Sequence, residues 1–163
     1  MDTNKNIIIL LLTVLVIKIF GVYFATHIFH YYSPLIDANL YINEYYKIPD
    51  GAIRTGDIRT NLIQDIVLFA KLFFSNNFFI HLFFGILSLI GFIYGIFKRL
   101  VSPIITITLV LPSSLIWTSI VGKEAVFFGF FTLIIFIWIS YWFYKINKID
   151  LFFLLVAIVI CTF

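Results

Sequence analysis

Charge is what this sequence most lacks. Only 12% of its 163 residues are Asp, Glu, Lys or Arg, against 63% hydrophobic residues, where a soluble domain carries roughly 25% charged and 45–50% apolar residues. With a mean hydropathy of +1.11, the chain has too little polar surface to stay in water, and a soluble globular domain is excluded. Cysteine is nearly absent too. The single Cys161 allows no intramolecular disulfide and no cysteine-based metal cluster, and leaves the redox compartment unread. The formal charge of +3 is spread over basic residues that stand singly or in pairs, so no basic face is available for nucleic acid. Nucleophile elbows, phosphate-binding glycine loops and zinc spacings are missing, as are internal repeats and low-complexity tails.

What the chain has in abundance is long apolar runs, with 21 Phe among them. A spanning helix needs about 20 mostly apolar residues. That ruler picks out segments near 7–29, 78–97, 100–120, 125–144 and 151–163, and predicts an all-α, polytopic membrane helix bundle of about five transmembrane helices in a single domain. The first run follows Lys5 but is too long for a signal-peptide core and lacks a small-x-small cleavage site, so it is read as a span. The last is too short to cross, at about 1.5 Å per residue, which predicts a chain truncated at its C-terminus, the front of a longer protein. Lys98 with Arg99, and Lys145 with Lys148, lie in short connections. By the positive-inside rule both pairs, and Lys5, are expected in the cytoplasm. The segment 30–77 and the turn at Gly122–Glu124 are then expected outside.

Within that outer segment, residues 61–74 keep a narrow polar stripe of Asn61, Gln64, Asp65 and Lys71 among apolar neighbours, the pattern of an amphipathic helix lying on the outer leaflet. Pro49-Asp50-Gly51 and Thr55-Gly56-Asp57 are turn signals. Residues 37–46 read as a short tyrosine-rich helix suited to the headgroup boundary. Asp37 and Tyr41, four apart, share a face of it. The Asp37 carboxylate can take a proton from a hydroxyl or hold a divalent metal, and it equally suits a helix N-cap after Ser33-Pro34.

Other ionisable groups stand out. Lys123 and Glu124 follow a run rich in hydroxyls, Ser113, Ser114, Thr118 and Ser119, that begins at Pro112. The pair either marks the water boundary or belongs to a polar cavity. Lys18, inside the first span, must snorkel, pair or face a cavity, since leaving it unpaired costs about 2.5–3.5 kcal/mol. His27 and His30 sit at helical spacing, and His81 stands apart. No third ligand of recognisable spacing makes them a metal site, and they fit an interfacial position.

Two features together, Asp37-Ala38-Asn39-Leu40-Tyr41 after the first span and Leu-Pro-Ser-Ser-Leu-Ile-Trp-Thr-Ser-Ile-Val-Gly-Lys-Glu at 111–124, carry a resemblance. The chain resembles the N-terminal part of a bacterial multi-spanning polysaccharide polymerase or GT-C-type glycosyltransferase. The resemblance implies transfer of a sugar or growing glycan from a polyprenyl-phosphate-linked donor, at the outer face of the bacterial plasma membrane. By it, Asp37 is the candidate base or ligand of a divalent metal, and Lys123 and Glu124 help hold the lipid-linked phosphate or the acceptor. Arg54, Arg59 and Tyr41 complete the expected substrate-binding set. Relatives carry paired acidic residues where Asp37 stands alone, and continue for several more spans. Two other classes compete. A transporter or channel subunit requires Lys18 and Glu124 to approach each other, and a small non-catalytic immunity or assembly factor requires a compact bundle without a cleft. An outward cleft containing Asp37 and Glu124 favours the transferase.

Overall fold

A computed structural model of the chain describes residues 3–32, 35–43, 58–143 and 147–162. Among the described residues there are helices and no strands, so the all-α expectation holds. α1 (Thr3–Tyr23) is rich in β-branched and aliphatic residues and has no proline. It continues through a π-helical turn, Phe24–Ile28, and a 3₁₀ turn, Phe29–Tyr31. Its buried stripe is Val14, Lys18, Val22 and Ala25, while Ile8, Leu12, Val16 and Phe20 stay exposed on the other side. That outer side is apolar, as a lipid-facing or helix-packing surface is.

Among the described residues the expected five spans become two, or three. Lys5–Tyr31 and α8 (Lys123–Phe143) are long and apolar enough to cross a membrane. A third crossing exists if α4 (Asn77–Leu87) and α5 (Ile90–Phe97), bent by 46°, form one span. No proline causes that bend. It falls at a Ser–Gly cluster, a recognised kink site, where the Ser88 hydroxyl donates to the Gly85 carbonyl at 2.7 Å. There α8 presses close, because a Cβ added at Gly129 would fall on the Leu87 carbonyl.

Residues 100–120, expected as one helix, are broken into α6 (Pro103–Thr106), a 3₁₀ turn (Ile107–Leu109) and α7 (Pro112–Trp117). Each proline opens its helix, as an imino acid without an N–H must, and Pro112 cannot continue a helix across the carbonyl four residues earlier. Hydropathy alone does not register that break. The segment read as 151–163 belongs to α9 (Lys148–Thr162), 15 residues that rise about 22 Å, short of the roughly 30 Å hydrocarbon core.

α2 (Ile36–Ile42) and α3 (Ile58–Lys71) pack at one end of the bundle. Ile63, Val67 and Ala70 form the buried face of α3, and Gln64 is buried with them. The expected polar stripe is therefore split: Asp65 is exposed and Gln64 turns inward. The exposed face carries Leu68, Phe69, Leu72 and Phe73. Lys18 is fully buried and neither snorkels nor meets an acid. Its amine donates to the Thr118 carbonyl at 3.3 Å and to the Thr118 hydroxyl. The α1–α7 approach behind this bond requires a glycine, since a Cβ at Gly21 would lie 2.5 Å from Ser119 Oγ and 3.0 Å from the Leu115 carbonyl.

At the other end of the bundle the polar groups close on themselves. Asn147 and Asp150 form a capping box for α9, with Asp150 N–H donating to Asn147 Oδ1 at 2.8 Å and Asn147 N–H donating to the Asp150 carboxylate at 3.2 Å. Lys98 at 3.0 Å and the Tyr94 hydroxyl at 3.0 Å complete the shell of that carboxylate. Burial opposes its ionisation, but the Lys98 ammonium, the Asn147 N–H and the Tyr94 hydroxyl together hold it below the ordinary carboxylate value. The hydrogen bond to Asp150 in turn raises Lys98. α5 ends just beside this pair in a Schellman turn, with Arg99 N–H bonded to Ile96 O at 3.0 Å and Leu100 N–H to Gly95 O at 2.8 Å. The left-handed residue such a turn requires, normally glycine, is Arg99 at φ 59°.

Candidate functional site

The cleft at the α2 end is built from short elements. Leu35, Ala38, Tyr41 and Ile42 recur at helical spacing and are all buried. They pack with Ile63 and Val67 of α3 and with Ile116, Ile120 and Val121. Seating that face turns the next position, Asp37, outward. It opens into a cleft of about 620 Å³ whose lining also includes Tyr41, Thr60, Trp117, Gly122, Lys123 and Glu124. Asp37 is not the helix cap: Leu35 holds the cap position with no side-chain bond, and Asp37 sits in the first turn, where a carboxylate is favoured by the helix dipole.

Across the cleft, Glu124 in the first turn of α8 folds back over the preceding glycine, so that a Cβ at Gly122 would lie 2.8 Å from Glu124 Oε2. The loop before it is held from behind. Val121 N–H donates to His81 Nδ1 at 3.1 Å, with the imidazole buried in α4. The cleft thus brings two carboxylates, an ammonium and a phenol around one open volume. A carboxylate within reach of a bound hydroxyl can act as a general base, and a neighbouring cation can offset charge on a leaving group. Among the described residues no three metal-ligating side chains come together.

No family model, curated protein or solved structure matches the chain.

Of the residues singled out in the sequence, Asp37, Tyr41, Lys123 and Glu124 line one cleft. Arg54 and both turn signals fall outside the described residues, and Arg59 belongs to the first turn of α3. Thr60, Trp117 and the supporting His81 were missed as cleft residues. Trp117 and the glycine lie inside the 111–124 run that drew attention, so that run carried the signal. For His81 only its place between the apolar Ile80 and the apolar Leu82, on the inner face of a helix, hinted at a structural bond. Lys18 gives its hydrogen bonds to Thr118.

Proposed function

We propose that the chain carries the catalytic cleft of a membrane glycosyltransferase or polysaccharide polymerase. It would use a polyprenyl-phosphate-linked sugar donor at the outer face of the bacterial plasma membrane, with the N-terminus cytoplasmic. The observation that carries this reading is the cleft shared by Asp37 and Glu124 at the end of the apolar helices, where a lipid-linked donor and a water-borne acceptor meet. Asp37 takes the proton of the acceptor hydroxyl as its oxygen bonds to the anomeric carbon. The bond from that carbon to the phosphate oxygen breaks, and the lipid phosphate leaves with the electron pair. Lys123 offsets the charge on the leaving phosphate, with Arg54 or Arg59 as further cations, and Tyr41 and Glu124 hold the sugar hydroxyls. α3, with its exposed Leu68, Phe69, Leu72 and Phe73, lies in the outer leaflet and guides the polyprenyl chain.

The test is turnover of a fluorescent polyprenyl-diphosphate-linked oligosaccharide by the protein reconstituted in bacterial lipid vesicles. Asp37→Ala is expected to abolish transfer at an unchanged protein level, and unchanged transfer removes the role. Sidedness is checked by an Asp37→Cys, Cys161→Ser protein in whole cells, which an impermeant maleimide is expected to label from outside.

A further inference from the structure

The three histidines of the chain converge. His27, His30 and His81 all line a second open cavity of about 580 Å³, with Asn39 and Asn77. Its volume lies within the roughly 300–1,000 Å³ of small-molecule sites. The cavity and the Asp37 cleft share Leu35 as a common wall. We infer that this cavity is a binding site for an uncharged polyhydroxyl ligand, a sugar ring. The inference deepens the transferase reading and rests on it for the ligand's role as the acceptor sugar.

Three observations carry it. First, the described lining has no Asp, Glu, Lys or Arg. A phosphate would meet no fixed cation there, and a metal ion no carboxylate, nor are three metal-ligating groups assembled among the described residues. What the lining offers is amides and imidazoles, which both donate and accept, as vicinal hydroxyls require.

Second, the imidazoles are set in opposite senses by their neighbours. The Thr26 hydroxyl donates its hydrogen to the Val22 carbonyl at 2.7 Å, so at 2.8 Å it accepts from His27 Nδ1. That assignment leaves a lone pair on His27 Nε2. His81 is the reverse, because its Nδ1 accepts the Val121 N–H and its Nε2 therefore carries the proton. One ring offers an acceptor and the other a donor.

Third, the cavity has an aromatic plate. His27 stacks on Tyr23 with centroids 4.7 Å apart and meets Phe78 edge-on at 6.2 Å, which suits the C–H face of a pyranose. His27 rides on the π-helical turn Phe24–Ile28. Such turns concentrate at functional sites because they shift side chains out of helical register.

The experiment is saturation-transfer NMR on the full chain in nanodiscs, with the methyl glycosides of glucose, galactose and N-acetylglucosamine as probes and inorganic phosphate as the charged control. Saturable binding of at least one glycoside is expected. It should weaken about tenfold in Asn39→Leu, or in His27→Phe, which keeps the stack on Tyr23 and loses the acceptor. No glycoside binding, or equal binding by both variants, overturns the inference, and so does phosphate binding that these variants abolish. Transfer that stays normal in His27→Phe with an unchanged acceptor KM sinks the inference and leaves the transferase reading standing. Glycoside binding lost in His27→Phe, without any transfer by the parent, does the reverse.

Discussion

The two ends of the bundle handle charge in opposite ways. At the Lys98 end, Asp150 is 3% exposed and its carboxylate accepts from a lysine, a tyrosine and a backbone N–H. At the Asp37 end, two exposed carboxylates, in the first turns of α2 and α8, border an open volume, and His81 secures the loop before α8 from behind. The closed end resembles a fastening, made of groups that satisfy one another. The open end sets the same residue types around an accessible volume in a supported frame, an arrangement that chemistry can use.

That contrast breaks if substitutions at the two ends act alike. The largest separation is expected for Asp37→Ala, which should lower glycan transfer by about 10²- to 10⁴-fold and leave stability within about 0.5 kcal/mol. Stability can be followed through the sole thiol, as the temperature at which Cys161 becomes reactive toward a fluorogenic maleimide. Asp150→Ala should do the opposite. It removes the capping box and the partner of Lys98, costs about 2 kcal/mol, and leaves transfer per folded molecule unchanged.

A smaller effect sharpens the same point without mutation. Asp150 is lowered from its ordinary value of 3.8, so its contribution is present above that value and fades as pH falls through the depressed one. Lys98 is raised from 10.5, so its contribution is present below that value and is lost as pH rises through the elevated one. The thiol-exposure temperature should hold steady between about pH 4 and 10.5 and fall outside that window. Asp150→Ala should flatten both limbs. The smallest expected change is a gain: Arg99→Gly relieves the left-handed backbone and should stabilise by about 0.5–1 kcal/mol.

The sequence disclosed α1 and α8 because nothing interrupts their apolar runs, and it overcounted crossings wherever a local backbone rule outweighed hydropathy. Pro103 and Pro112 divide an apolar stretch, and Ser88 with Gly85 bends another. The acidic and basic residues lining the cleft were visible one by one, since ionisable groups in so apolar a chain are conspicuous. Their sharing of a cleft was not, because it depends on how α2 seats Leu35, Ala38 and Tyr41. Gln64 was misread because helical periodicity shows that a face exists without showing which face a neighbour covers. The meeting of His27, His30 and His81 joins two helices far apart in the chain and has no local signature.

Arg99 sits where the backbone favours glycine, beside a connection that enters the broken segment α6–α7. Guanidinium keeps its proton throughout the pH range of living cells, and drawing it into hydrocarbon costs about 2.5–3.5 kcal/mol. The turn therefore works as a ballast. Wherever this corner meets water, the charge carried by its turn resists being drawn into hydrocarbon.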